Sequence, residues 1–260
     1  MKKLLFTLAI GLATLTSCES DLVSAPPSDS PNSSGSSSSN DGVLPTKVDI
    51  VYSDGETETI TYTYTGMTLV KEEFSDGSYY DYIYVDNNIS EINSLNTLNG
   101  DILESYTYDA QGRVATVSTN IIGVGLYEYS MSYNADSSVV TDTSITIPGG
   151  TPSTITISNG NMIEETGGGS ANEITTYTHD TMNAPFKNIN NRDILLSINS
   201  ENCYNYQFNR NNILTLNTVG GSFPESITSS YTYTSFNYPR VMTENEDGDF
   251  STYTYTYNND

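Results

Sequence analysis

The stretch that decides the fold is Tyr106-Thr107-Tyr108-Asp109-Ala110-Gln111-Gly112-Arg113-Val114. Tyr and Thr are strand formers, and alternation sends Tyr to one face and Thr to the other. Asp109 can accept a backbone N–H and open a turn, and Gly112 supplies the positive φ that closes it. Val114 and Val117 then start a return strand. The stretch reads as strand, tight turn, strand, and such a unit cannot bury its apolar face alone.

The unit recurs. Tyr62-Thr63-Tyr64-Thr65-Gly66, Tyr82-Ile83-Tyr84-Val85-Asp86-Asn87-Asn88-Ile89 and Tyr204-Asn205-Tyr206-Gln207-Phe208-Asn209 are copies, as are Tyr231-Thr232-Tyr233 and Tyr253-Thr254-Tyr255-Thr256-Tyr257-Asn258. Tyr129 to Asn134 is a looser copy, and Tyr177-Thr178-His179-Asp180 has His in place of the second Tyr. A period of roughly 20 to 27 residues marks a repeat architecture. Between copies stand Asp54-Gly55, Asp76-Gly77, Asn99-Gly100, Asn159-Gly160 and Asp247-Gly248, strong short hairpin signals. The expected fold is therefore all-β: an antiparallel meander of Tyr-rich hairpins forming a large curved sheet or an open barrel-like roll. Pro185 to Ser200 breaks the rhythm and reads as a long loop or one short helical turn covering a sheet edge.

Tyr106 to Val114 resembles the YD repeat of RHS-type proteins, Tyr-x-Tyr-Asp-x-x-Gly-Arg-aliphatic, with Tyr106, Tyr108, Asp109, Gly112 and Arg113 on the motif. The other copies are degenerate and look like those of uncharacterised YD-repeat lipoproteins from Bacteroidetes. The resemblance runs from about Val48 to the C-terminus. It implies a shell or scaffold and implies no activity.

The N-terminus carries an address. Met1-Lys2-Lys3, an apolar run from Leu4 to Leu15, and Leu15-Thr16-Ser17-Cys18 make residues 1–17 a secretory signal, too short to span a bilayer. Cys at the cut position resembles a bacterial lipoprotein lipobox, which implies acylation of Cys18. Glu19-Ser20-Asp21 behind it resembles a Bacteroidetes surface-export signal, which implies anchoring in the outer membrane, on the periplasmic or the outer surface. Residues 18–42, rich in Ser, Pro and Asn, read as a flexible tether spanning on the order of 25–30 Å. Residues 43–260 form the β domain.

Nine Lys and Arg stand against 32 Asp and Glu, a net charge of −23 that deepens by two when Lys2 and Lys3 leave with the signal. That balance excludes nucleic acid as a partner and disfavours docking on an anionic membrane. With Cys18 acylated, Cys203 has no internal disulfide partner and reads as a buried thiol.

The search for chemistry returns no catalytic residue, metal site or cofactor. His179 is the only His and occupies a Tyr position in the repeat, so it reads as part of the sheet. Gly167-Gly168-Gly169-Ser170 has no P-loop Lys behind it. Glu72 and Glu73, and Glu164 and Glu165, are strand neighbours that point to opposite faces, so they do not form the acid pair of a hydrolase. Glu244 to Asp249 reads as a charged hairpin tip rather than a calcium loop.

The 21 Tyr and absent Trp leave two readings. Tyr rows on neighbouring strands support one another structurally. Alternatively Tyr62, Tyr64, Tyr82, Tyr84, Tyr231 and Tyr233 line an exposed face that binds a glycan or a protein ligand. The expectation is a non-enzymatic envelope lipoprotein. A carbohydrate-binding or adhesin module is one alternative, and a carboxylate-pair hydrolase is another.

Overall fold

The Asp109 turn forms as its chemistry demands. In the computed structural model, Asp109 Oδ1 accepts the backbone N–H groups of Gln111 (2.8 Å) and Arg113 (3.0 Å), and the Arg113 guanidinium grips Oδ2 at 2.7 and 2.8 Å. Gly112 sits at φ +78° and donates its N–H to the Asp109 carbonyl. Arg113 also lies over the Tyr133 ring, 4.4 Å from its centroid, which ties this turn to the next hairpin.

The structure describes residues 42–260 apart from 96, 98, 99, 148–150, 168–171, 198–204 and 222–223. The signal, the tether, Cys18, Cys203 and Asn99 lie outside the described residues. The strands are β1 (Pro45–Val51), β2 (Thr57–Thr65), β3 (Thr68–Phe74), β4 (Tyr79–Val85), β5 (Asn88–Leu95), β6 (Ile102–Tyr108), β7 (Val114–Ile121) and β8 (Gly125–Tyr133). They continue as β9 (Val139–Ser144), β10 (Ser153–Ser158), β11 (Asn161–Thr166), β12 (Ile174–His179), β13 (Ile213–Val219), β14 (Glu225–Tyr233), β15 (Pro239–Glu246) and β16 (Asp249–Tyr257). Each pairs antiparallel with its sequence neighbours. β16 also pairs with β1, so the sheet is a closed barrel rather than an open roll.

Closure has a local cause. The register slips between the middle residue and the second Tyr of the repeat at Thr63/Tyr64, Ile83/Tyr84 and Thr107/Tyr108, and equivalently at Thr178/His179 and Thr232/Tyr233. A bulge bends its strand and increases the local twist. Repeating the slip at one level of successive hairpins curls the meander until its ends meet.

The second repeated device is a hydrogen bond. Tyr64, Tyr84, Tyr108 and Tyr133 donate their hydroxyls to the carbonyls of Pro45, Leu69, Ile89 and Val114, at 2.6–2.8 Å. Tyr231 and Tyr257 do the same to Ile213 and Pro239. Each phenol fastens the end of one strand to the start of the strand before it.

The repeated turns lie at one end of the barrel, where the chain also enters at Val43 and leaves at Asn258. This end is plugged by residues 181–197 and 205–212, the described parts of the connection between β12 and β13. Its helix α1 (Arg192–Ser197) and a 3₁₀ turn (Asn205–Phe208) bring Phe186, Ile189, Leu195, Leu196 and Phe208, all 0–5 % exposed, against Tyr62, Leu69, Tyr82, Ile89 and Ile92 of the wall. Tyr62 and Phe186 meet edge-on at 5.0 Å, and Phe186 and Phe208 at 5.5 Å. Asn188, Asn190, Asn191 and Arg192 bond the backbone of Val43, Met67, Asn87 and Gly160 at the surrounding turns. The break in the repeat thus fills a barrel mouth, not a sheet edge. The copy read at Tyr204 to Asn209 is also corrected: residues 205–208 are a 3₁₀ turn of the plug, and Tyr204 lies outside the described residues.

Candidate functional site

Burial alternates along most strands, and the outward positions are mainly hydroxyl-bearing or charged, interrupted by exposed Ile83, Val85, Leu103, Leu126, Ile163 and Phe250. Outward stand Thr61, Thr63, Thr65, Ser105, Thr107 and Ser132, and equally Thr228, Ser230 and Thr232, all exposed. Some of these hydroxyls bond across strands, as in Thr107–Thr116 at 2.6 Å and Thr178–Thr215 at 2.7 Å. Inward stand the tyrosines, the aliphatic residues and a set of acids. A transmembrane barrel carries its apolar band outside and its polar residues inside.

Tyr62, Tyr64, Tyr82, Tyr84, Tyr231 and Tyr233 therefore do not line an exposed concave face. They point into the barrel. Tyr62 and Tyr82 are buried, and the other four are half-buried. Tyr64, Tyr84 and Tyr231 spend their hydroxyls on neighbouring carbonyls, and Tyr82 and Tyr233 on the carboxylates of Glu72 and Asp180. Tyr106 and Tyr108 share this inward face, whereas Asp109, Gly112 and Arg113 form the turn below them.

Above the plug, the inner wall carries carboxylates in phenol pairs. Tyr82 donates to Glu72, Tyr106 to Glu104 (2.7 Å), Tyr177 to Glu165 (3.3 Å) and Tyr253 to Glu244 (3.3 Å). Thr119 adds a second bond to Glu104, and Asp142 accepts the Ser153 N–H at 3.1 Å. Glu72, Glu104 and Asp142 are 1–3 % exposed. The strand lysines are turned away, Lys47 onto Asp49 and Lys71 onto Glu73, both at the outer surface. Burial without a cation raises the acids: Glu72 and Asp142 are each pushed up to about 7, and Glu225 and Glu244 are raised as well. Glu72, Glu104, Glu165 and Glu244 accept bonds from Tyr or Thr on a neighbouring strand, and Asp142 accepts a backbone N–H from one, an arrangement suited to holding the barrel together.

Glu72 and Glu165 turn inward, while Glu73 and Glu164 face out, as strand alternation requires. Asp247 and Gly248 form the β15–β16 hairpin tip at positive φ, with Gly248 N–H on Asn245 Oδ1. Among the described residues no three metal-ligating side chains come together.

His179 holds the place of a second Tyr, opposite Ile213 on β13. Its shorter ring makes no fastening bond: Nε2 is buried without a partner, and burial lowers its pKa to about 4. The neighbouring Asp180 is committed to structure, accepting the N–H groups of Met182 and Asn212, the Asn212 amide and the Tyr233 hydroxyl.

The end of the barrel away from the plug was not singled out by the sequence. Its hairpins divide by polarity. The β1–β2, β3–β4 and β15–β16 tips are acidic, with Asp54, Glu56, Asp76, Asp247 and Asp249. Across the barrel, the β7–β8 and β9–β10 connections expose Ile122, Val124, Leu126, Ile145 and Ile147, each 50–66 % exposed, beside Leu103. A groove of about 270 Å³ crosses the outer face of β14–β16, lined by Thr228, Ser230, Thr243, Asn245 and the exposed Phe250.

No family model matches the chain, and no curated protein does. Solved structures similar to it include a porin-like protein from Bacteroides uniformis ATCC 8492, at 17 % identity and TM-score 0.48, with 82 % of this chain and 96 % of that one covered. Another is a porin-like protein from Bacteroides vulgatus ATCC 8482, at 10 % identity and TM-score 0.44, covering 83 % of this chain and 99 % of that one.

Proposed function

We propose that this chain is a non-enzymatic lipoprotein of the bacterial cell envelope: a plugged β-barrel scaffold, acylated at Cys18 and tethered outside the bilayer rather than threaded through it. The observation that carries this reading is the polarity of the wall. Thr and Ser face outward from strand after strand, and hydrocarbon would leave their hydroxyls without water. The interior is closed to solute flow by Phe186, Leu195, Leu196 and Phe208 at one end. Buried acids bonded to phenols serve as internal struts, and this reading gives them no substrate. The Tyr-turn hairpins resemble those of YD-repeat scaffolds, with the full motif at Tyr106 to Val114.

Two measurements on the full chain test this. Fractionation should leave the parent with membranes and release Cys18→Ala to the soluble fraction. In planar bilayers the purified chain should give no conductance. Membrane retention of Cys18→Ala through carbonate washing, together with discrete conductance steps, would overturn the reading.

A second reading, surface glycan binding, is favoured by the outer groove rather than the tyrosines. Phe250 is 55 % exposed beside hydroxyl and amide side chains, a flat apolar ring among polar groups. A glycan array on which Phe250→Ala loses the parent's signal would support it. A blank array for the parent would remove it.

A further inference from the structure

We propose that the aliphatic hairpin tips at the barrel end opposite the plug are a lipid-contact surface that dips into a neutral bilayer. This rests on the envelope reading only for the presence of a membrane nearby.

The surface is contiguous. Leu103 on β6 is paired with Asn120 on β7, which is paired with Leu126 on β8, so the two leucines share one outward row. Ile145 donates its N–H to the Glu128 carbonyl at 2.7 Å, which brings the β9–β10 connection alongside β8. Ile122 and Val124 form the β7–β8 tip itself, where Gly123 takes the positive φ that the tight turn needs. Exposed aliphatic patches of this kind mark contact surfaces.

The chemistry selects the occupant. The patch is carried on two hairpin connections at the rim of the barrel. Its six side chains are aliphatic, without the aromatic or Arg anchors that dominate protein interfaces. They suit shallow burial in acyl chains, where affinity grows with the methylene groups inserted. The acidic tips of β15–β16 and β1–β2 stand on the opposite side of the ring, since β8 and β16 are eight places apart in its order. A protein this acidic avoids anionic head groups. The bilayer that fits is therefore zwitterionic.

The tether permits the contact. It joins the barrel at the plugged end, where Asn188 bonds the Val43 carbonyl. Strands of six to nine residues, tilted as barrel strands are, give a wall under about 30 Å tall. The chain from Cys18 to Gly42 can extend to about 80 Å. Anchor and tips can thus reach one bilayer, with the barrel leaning on it.

The test uses the mature chain carrying Cys18→Ala, without acyl groups, so that the tips are measured apart from the anchor. With an excess of phosphatidylcholine vesicles it should co-sediment in part, a weak partitioning that dilution reverses, so that cell lysis still releases it to the soluble fraction. Changing Ile122, Val124 and Leu126 together to Ser should weaken partitioning at least about tenfold, because the methylene transfer is lost. Changing Ile83 and Val85 to Ser at the plugged end should leave partitioning as it was, and adding phosphatidylglycerol should weaken it. Three results would each overturn the proposal: no partitioning, partitioning insensitive to the tip variant, or partitioning that requires the anionic lipid. Gel filtration supplies a fourth. A dimer of the unacylated chain that the tip variant dissolves would make the patch a self-contact instead. Failure of these tests with Cys18→Ala still released from cells rejects the lipid contact and leaves the anchor standing.

Discussion

The two ends of the barrel are built to different rules. At the plugged end, turns, phenols and an inserted segment bond one another repeatedly: Asn188, Asn191 and Arg192 reach the chain entry and two separate turns, and Tyr64, Tyr84, Tyr108 and Tyr133 fasten successive hairpins. At the far end, the hairpins are joined mostly by their own ladders, and what varies is the character of their tips. The contrast teaches that stability is concentrated at one end, leaving the other free to differ from hairpin to hairpin in charge and apolarity.

The sharpest way to break this contrast is to hollow out the plug. Phe208 is fully buried and packs on Phe186. Phe208→Ala should cost about 3–5 kcal/mol, read by urea denaturation, whereas Val124→Ser at the far end should stay within about 0.5 kcal/mol. Equal losses would dissolve the distinction.

Next comes acidity. The Glu72 and Asp142 carboxyls, raised to about 7 in the fold, bind protons more tightly there than in the unfolded chain. Their contribution is complete below about pH 4 and is lost as pH rises through 7. His179 works the other way, being held neutral in the fold, so its contribution fades as pH falls from about 6.5 toward 4. Two acids outweigh one imidazole, so Tm should be highest near pH 4 and drop by on the order of 5–10 °C by pH 8. Glu72→Gln should flatten that drop, and an unchanged pH profile would count against the buried-acid account.

Smaller effects sharpen the account of the repeat. Gly112→Val should lose about 1–2 kcal/mol, because an added Cβ meets open space and only the backbone strain at φ +78° remains. Thermal unfolding equal to the parent would refute the turn assignment. Tyr108→Phe removes the bond to the Ile89 carbonyl and should cost about 1 kcal/mol in chemical denaturation.

How far the sequence was legible follows from the range of each interaction. The hairpins could be read because turn chemistry is local: Asp109, Gly112 and Arg113 act within five residues of chain. Closure could not, because it sums small bends from bulges such as Thr107/Tyr108 whose register depends on the partner strand. Alternation separated Tyr from Thr, yet it left undecided which face was inside; the plug decides it by supplying Phe186 and Leu196 for the tyrosines to cover. The fastening bonds had a trace in the sequence, since Tyr64, Tyr108 and Tyr133 each follow their acceptor by 19 residues. The apolar tips were visible as Ile121-Ile122-Gly123-Val124-Gly125-Leu126, but only a three-dimensional arrangement shows them side by side with Ile145 and Ile147.

The seam between β1 and β16 carries a consequence for biogenesis. Leu44 and Asn258 bond each other across 214 residues, and Val48 lies opposite Tyr255. The earliest strand made must wait, its edge unsatisfied, for the very last. Ring formation thus waits until the whole sheet is made, slow by the loop it must close, and a chaperone has that interval in which to act. Removing β16 would leave two bare edges and a species prone to pairing with its own kind.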